Sequence, residues 1–262
     1  MKKKILKWML LVVVLVVALC VAAYVAWILF GSKDSNPYGY ASIGGIPSPS
    51  GYRRIQGDAY SNYLRSLPLK KKGSRLQLYT GGDSHLQSLC YAVVDMPLLS
   101  NDEQCADVCM RLRAEYLFGA GLHDRIRFQD VNGRMLAYDG DGSRKSLESY
   151  LRKLYGVAST YSLCREMTTR PLKDMQPGDV FVFPAGRYGL KMGHAVMVAD
   201  VAVNEKGKKA FLLVEGNTPA RSIHVMRNFL DPMRSPWFVL DEKASSLLLS
   251  GFPYRASDLR HF

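Results

Sequence analysis

The chain is poor in the residues that bind metal ions, with only five histidines and five cysteines among 262 residues. The sequence contains neither a Cys-x2-Cys pair nor the paired histidines of a zinc site. We therefore expect no metal site and no other cofactor. Internal repeats are also absent, and a composition of 48% hydrophobic and 22% charged residues is typical of a folded chain rather than a disordered one.

Charged side chains are missing from residues 8–30, a run of 23 residues. As a helix this run is about 34 Å long, enough to cross a bilayer core of ~30 Å. A cleaved secretory signal is the rival interpretation, but its apolar region is normally about 7–15 residues long, and no small-x-small cleavage site follows. A lipid anchor at Cys20 is a third, although Leu19 precedes it where a small residue is expected. We predict a basic stub and retained transmembrane anchor over residues 1–31.

The distribution of charge predicts where the remaining chain lies. Lys2, Lys3, Lys4 and Lys7 precede the apolar run, so the positive-inside rule leaves residues 32–262 outside the cytoplasm, in the periplasm. That part carries 31 basic and 23 acidic side chains. A basic surface suits anionic lipid headgroups or acidic wall polymers such as peptidoglycan, and a mixed, solvated surface is the alternative. Nucleic acid is not an expected partner there.

The exported part divides into a tether and a domain. Residues 32–51 are rich in Gly, Pro and Ser and predict a tether, followed by a domain over residues 52–262. Apolar spacing predicts helices within 52–67, 104–118, 147–155 and 162–167. It predicts strands at 75–79, 91–96, 126–128, 179–184, 194–203, 209–215 and 223–226. Most of the predicted helices precede the predicted antiparallel sheet in the chain, and this order indicates an α+β fold.

A hairpin turn predicted at residues 204–207 sets the register of the last long strands. With a two-residue loop, His194 lies opposite Asn217, and Glu215 shares the same strand face. A carboxylate or amide that holds one imidazole nitrogen fixes the tautomer that a catalytic histidine needs. A shift of one residue would move the set to opposite faces.

The helix over 104–118 places Cys105 in its first turn, with Asn101 or Asp102 as the predicted cap. The free N–H groups there stabilise a thiolate and can stabilise an oxyanion, and the neighbouring Gln104 can assist. A cysteine nucleophile paired with a later histidine base is typical of thiol hydrolases. Cys109, one turn further on, is predicted to pack in the core.

Simpler interpretations of the same residues stay open. Cys105 can be a core residue, His194 can be satisfied by a backbone carbonyl, and Glu215 and Asn217 can belong to a turn. The other four histidines are predicted to be surface or packing residues. Four cysteines outside the span would permit two disulfides in an oxidising compartment, but free thiols are our expectation.

Several motifs resemble the DUF4846 family, which is common in Bacteroidetes-type bacteria. The longest is QCADVCMRLRAEYL at residues 104–117. Shorter ones lie at residues 63–69, 159–163, 178–181, 193–195, 219–220 and 236–237. The resemblance covers roughly residues 40–262 and implies no reaction, because the family's biochemistry is uncharacterised.

The Gly-Asp strand followed by Gly-His-Ala is also similar to the second half of NlpC/P60 and CHAP amidases, which are papain-like. That resemblance implies helices packed on an antiparallel sheet, with Cys105 as nucleophile and His194 as base. Glu215 or Asn217 would orient the base, although the DUF4846 pattern has Gln where this chain has Glu215. The expected function is a cysteine amidase or peptidase that acts on cell-wall peptides. The alternative is a non-catalytic envelope domain of the same fold that binds its ligand.

Overall fold

The computed structural model describes residues 2–30 and 34–262 of the chain. Its α-helices are α1 (Lys2–Phe30), α2 (Ala59–Ser66), α3 (Cys105–Gly119), α4 (Arg144–Tyr155) and α5 (Thr160–Glu166). Its first strands are β1 (Tyr52–Arg54), β2 (Cys90–Val93), β3 (Arg127–Gln129), β4 (Met135–Ala137), β5 (Thr168–Thr169) and β6 (Val180–Phe183). The later strands are β7 (His194–Asn204), β8 (Lys209–Glu215), β9 (His224–Met226), β10 (Phe238–Val239), β11 (Ser246–Leu249), β12 (Phe252–Arg255) and β13 (Leu259–His261).

Nine of these strands form one sheet, in the order β2-β9-β8-β7-β6-β13-β5. Strand β1 also pairs with β7, and β10 also pairs with β8. Each of these ladders is antiparallel. The predicted α+β class with an antiparallel sheet is confirmed.

The two faces of the sheet are both buried, which explains why β6, β7 and β8 are apolar over most of their length. On one face Ala195 and Met197 belong to the core that includes residues of α3. On the other face Val196 and Val198 belong to a second core that includes Tyr254 of β12. Alternate side chains therefore enter opposite cores, and burying each large apolar side chain contributes about 1.5–3 kcal/mol.

Helix α1 contains the apolar run. Its segment Leu6–Ala26 has a mean hydropathy of 3.0, and none of that segment is buried against the rest of the protein. Within the described residues, α1 is the one helix that is both long enough and apolar enough to span a membrane.

The register of the β7–β8 hairpin corrects the predicted two-residue turn. Strand β7 runs to Asn204 and β8 begins at Lys209, because Asn204 Oδ1 accepts hydrogen bonds from the N–H groups of Lys206 and Lys208 and holds a longer loop. An irregularity between Val198 and Asp200 then shifts the pairing by one residue. From Val198 towards His194 the pairing is the predicted one. The error in the turn and the missed shift therefore cancel at that end of the hairpin.

Other local predictions also need correction. Residues 75–79 form isolated bridges rather than a strand, pairing Gln77 with Asp83 and Leu78 with Arg221. Residues 52–67 begin as strand β1, and the helix starts only after Asp58, which caps α2 by accepting from Ser61 N–H. The short strands β4, β5 and β10–β13 were not predicted.

The segment predicted as a tether is packed on the domain over residues 34–51. Ile43 and Ile46 are fully buried in the main core, and the side chain of Asn36 bonds to the carbonyls of Tyr40 and Lys70. The content of glycine and proline suggested an extended linker. The two isoleucines, however, supply enough apolar surface to pack the segment against the domain. The folded domain therefore starts before residue 52, while residues 31–33 lie outside the described residues.

Candidate functional site

The first turn of α3 carries Cys105. Gln104 is the cap of this helix and Cys105 its first residue, so the predicted caps Asn101 and Asp102 are wrong. The reason is Asp107, whose Oδ2 reaches back and accepts the Gln104 N–H at 3.0 Å. Cys105 therefore lies at the positive end of a 15-residue helix, where free N–H groups favour an anion.

His194 and Glu215 meet across the β7–β8 hairpin. Nε2 of His194 lies 3.0 Å from Oε2 of Glu215, and both side chains are buried. Ser250, in the β11–β12 turn, donates its hydroxyl to the same Oε2 at 2.6 Å and lies 3.2 Å from His194 Nε2. Nε2 of His194 is therefore engaged by these two groups, and a side-chain hydrogen bond with Cys105 is a further interaction of the same imidazole.

The electrostatics of this cluster favour the charged forms of His194 and Glu215. Burial alone would lower the pKa of His194, but its interactions with Cys105 and Glu215 raise it to about 10. Burial alone would raise the pKa of Glu215, but His194 and His224 hold it well below its usual range. A buried imidazolium between a carboxylate and a cysteine is the arrangement that stabilises a thiolate.

His224 is a second imidazole on Glu215 that the sequence analysis assigned to surface or packing. It is buried in β9, with Nε2 3.3 Å from Oε1 of Glu215 and Nδ1 3.0 Å from the carbonyl of Ser222. Strand β9 pairs with β8, with Glu215 directly opposite His224. Pairing of the short strand 223–226 with β8 was the signal that would have found it.

The other two predicted site residues, Asn217 and Gln104, contact Thr218 rather than His194. Asn217 lies just past the end of β8, and its Oδ1 accepts from Thr218 N–H at 2.8 Å. Gln104 Oε1 accepts from the hydroxyl of Thr218 at 2.6 Å, which leaves its amide nitrogen as a donor. Of the two residues predicted to orient the imidazole, Glu215 is therefore the one that contacts His194.

Two glycines allow α3 and α5 to approach the sheet at this end. A Cβ on Gly216 would lie 2.5 Å from Val108 Cγ2 and 3.2 Å from the carbonyl oxygen of Gln104. A Cβ on Gly193 would lie 2.3 Å from the carbonyl oxygen of Phe183 and 2.4 Å from Thr160 Oγ1. These close approaches bring the neighbours of Glu215 and His194 against the helix starts.

A cavity of about 310 Å³ opens beside the cluster. Cys105, Gln104 and Gly193 line it, together with Lys191 and Met192 from the loop before β7. Cys105 is 6% exposed and His194 3%. The thiol is therefore in the cavity wall, while the imidazole lies behind it.

The remaining cysteines and charges on α3 have structural partners. All five cysteines are free, and Cys109 is buried, with its thiol donating to the carbonyl of Cys105. Arg111 forms buried ion pairs with Glu103 at 2.6 Å and Glu115 at 3.3 Å. Among the described residues no group of three His, Cys, Asp or Glu side chains is placed to hold a metal ion.

A family model described as a domain of unknown function (4846) matches residues 44–140 and 137–261. The chain belongs to the DUF4846 family. No curated protein and no solved structure matches it. The DUF4846 match begins within the segment that carries Ile43 and Ile46, in agreement with a domain that starts before residue 52.

Proposed function

We propose that this DUF4846 chain is a cysteine amidase or peptidase that cleaves an amide bond in a cell-wall peptide. The observation that carries the proposal is the combination of a cysteine at a helix N-terminus with a buried His194–Glu215 pair beside it, at the wall of a cavity. A nucleophile, a base and a group that orients the base are the parts that acyl transfer requires.

The residues divide the reaction between them. The Cys105 thiolate attacks the amide carbon, and the helix N–H groups with the Gln104 amide stabilise the oxyanion. Protonated His194 then gives its proton to the leaving amine, and a thioester remains on Cys105. Thioester formation removes the thiolate charge that helps to raise the pKa of His194, so the imidazole becomes a better base for the water that completes hydrolysis.

The same residues support a papain-like, NlpC/P60-like assignment. In that arrangement a helix that begins with the cysteine packs on an antiparallel sheet, and neighbouring strands carry the imidazole and its partner. The argument is one of topology and side-chain roles, since such constellations recur on unrelated folds.

The proposal places the domain at the outer surface of a membrane. Helix α1 acts as a single-pass anchor, and the lysines before the span keep the N-terminus in the cytoplasm. The domain is then periplasmic, where peptidoglycan is the abundant polymer with peptide amides.

The second candidate is an envelope domain that binds wall fragments without cleaving them. It is favoured by the burial of His194, which a substrate must reach for proton transfer. In some enzymes the substrate reaches a buried group of this kind after a loop moves.

The test is turnover of peptidoglycan stem peptides by the full chain in detergent, followed by mass spectrometry. Wild type and Cys109→Ala, a matched cysteine replacement on the same helix, should release product, and Cys105→Ala should not. Equal activity of the Cys105→Ala variant would contradict the proposal, and binding without turnover in wild type would favour the second candidate.

A further inference from the structure

Very little chain joins helix α1 to the domain. The helix ends at Phe30, and Ser35 and Asn36 are already buried in the domain, where the Asn36 N–H donates to the carbonyl of Tyr91 in β2. Since a chain extends by at most about 3.6 Å per residue, Asp34 lies within about 14 Å of the end of the helix. The part of the domain around Asp34 is therefore held close to the surface of a membrane that α1 spans.

A contact from the helix brings a second part of the domain to the same place. The hydroxyl of Tyr24 donates to the carbonyl of Phe229, in the loop between β9 and β10. Tyr24 is the third residue from the end of the apolar segment Leu6–Ala26, a depth of about 3 Å, and tyrosine is enriched at this level of a bilayer. Arg227 of the same loop donates to the carbonyl of Asp34 at 3.2 Å, so the loop and the start of the domain form one face.

Large apolar side chains are exposed on this face. Leu230 is 69% exposed, Met233 is 94% exposed and Tyr38 is 76% exposed. Tyr38 and Met233 line one cavity of about 560 Å³. Removing such a side chain from water stabilises by about 1.5–3 kcal/mol, and exposed apolar groups that lie together indicate an interaction surface.

Basic side chains border the apolar ones. Lys71 and Lys72 are both exposed. Their loop is fixed to the start of the domain, because the N–H of Gly73 donates to the carbonyl of Ser35 at 2.8 Å. A lysine near an anionic membrane surface contributes about 1 kcal/mol to binding, so the charge of this border fits anionic headgroups.

We propose that a juxtamembrane face, consisting of Tyr38, Lys71, Lys72, Leu230 and Met233, lies on the bilayer. The apolar side chains enter the boundary between headgroups and acyl chains, which interfacial segments penetrate by about 5–10 Å, and the two lysines bind anionic headgroups. The domain is then held in one orientation on the membrane rather than carried on a free tether. The inference rests on the proposed membrane anchor and is independent of the proposed hydrolase.

Photo-crosslinking to lipid in the full chain tests this contact. The variants Tyr38→p-benzoylphenylalanine and Met233→p-benzoylphenylalanine are reconstituted into vesicles of phosphatidylcholine and phosphatidylglycerol, and lipid adducts are measured by mass spectrometry after illumination. We expect both variants to form lipid adducts.

Met135 offers a matched control position, since it is an exposed methionine on β4. Strand β4 pairs with β3, whose Phe128 packs against Phe262 just beyond β13. Five strand spacings of about 4.8 Å, or about 24 Å in all, separate β13 from β2, the strand that holds Asn36. We expect the adduct to be lost when the label is at Met135, whereas a label at Val16, inside the apolar segment, should form it whenever α1 is inserted.

The role of the lysines is tested separately. Lys71→Gln combined with Lys72→Gln should lower the adduct yield at Met233 to the yield measured in vesicles of phosphatidylcholine alone. Lys145→Gln combined with Lys153→Gln removes the same charge from exposed positions on α4 and should leave the yield unchanged. An equal yield in the two double variants would overturn the headgroup contact.

The outcomes separate the face from the anchor. Adducts at Val16 with none at Tyr38 and Met233, or with an equal yield at Met135, overturn the juxtamembrane face and leave the anchor standing. Absence of an adduct at Val16 removes the anchor and the face together. None of these results depends on turnover at Cys105, so failure of the hydrolase proposal is recognised independently.

Discussion

The carboxylate of Glu215 holds the imidazole of His194 from the neighbouring strand, with Oε2 3.0 Å from Nε2. The same carboxylate has His224 Nε2 3.3 Å from its other oxygen. One buried anion thus lies between two imidazoles, and removing it would leave a cationic His194 in a low-dielectric site.

Replacing the central carboxylate should reduce activity strongly. Glu215→Gln keeps the shape of the side chain but removes the charge that favours protonated, correctly oriented His194. We expect kcat/KM to fall by up to about 10⁴, the loss seen when the orienting acid of a triad is neutralised. Glu205→Gln, in the exposed turn at the other end of the hairpin, is the control and should stay near wild type.

Two variants of Ser250 distinguish the effect of its hydroxyl from the effect of its backbone conformation. The residue has φ of +53° and donates to Glu215 at 2.6 Å. Ser250→Gly should lose the hydrogen bond without backbone strain, whereas Ser250→Ala should also keep a side chain in the left-handed region.

We therefore expect similar losses of activity in the two Ser250 variants, with Ser250→Ala about 1 kcal/mol less stable in urea unfolding. Unchanged activity in both would show that Ser250 does not support the pair.

His194 should stay protonated far above neutral pH. Its pKa is raised to about 10, against about 6.5 in the unfolded chain, by Cys105 and Glu215 acting against burial. Its stabilising contribution is therefore complete below about pH 6.5 and is lost as the pH rises through about 10. NMR of labelled histidine in the full chain should show this titration, shifted downward in Cys105→Ala. A midpoint near 6.5 in wild type would contradict it.

The close approach of β8 to α3 should not tolerate a methyl group. Gly216→Ala would place Cβ 2.5 Å from Val108 and push the helix start away from Glu215. We expect a loss of about 1–3 kcal/mol in stability, measured by denaturant unfolding. Gly119→Ala at the end of α3, where nothing lies within 4 Å, should be neutral or slightly stabilising. Equal stability of the two variants would rule out the close contact.

The part of the site that lies on regular elements could be predicted from sequence. Cys105 on a helix start and the His194–Glu215 face follow from periodicity, and the register was correct at that end although the turn and the shift at Asp200 were missed. Those two features depend on side chains, Asn204 in the loop and Asp200 with its ion pairs to Arg54 and Arg65, whose partners are distant in sequence.

Residues that reach the site from separate elements could not be predicted. Ser250 lies in a short hairpin whose position depends on tertiary packing. His224 lies on a strand that was predicted, but the pattern of that strand does not show that it pairs with β8 beside Glu215. The burial of Ile43 and Ile46 was hidden by the glycine and proline around them. The catalytic roles, the cell-wall substrate and the periplasmic location stay predictions.

Reactivity of the cysteines tests the central claim most directly, because it requires no substrate. The full chain in detergent is treated with iodoacetamide at pH 6.5, and labelling of each cysteine is followed by mass spectrometry. The account predicts that Cys105 is labelled in the native protein, and at least about tenfold more slowly in His194→Gln, while Cys109 is labelled only after denaturation and Cys164 reacts equally in both proteins. Labelling of Cys105 only after denaturation, or at the same rate without His194, would contradict an activated thiol at this site.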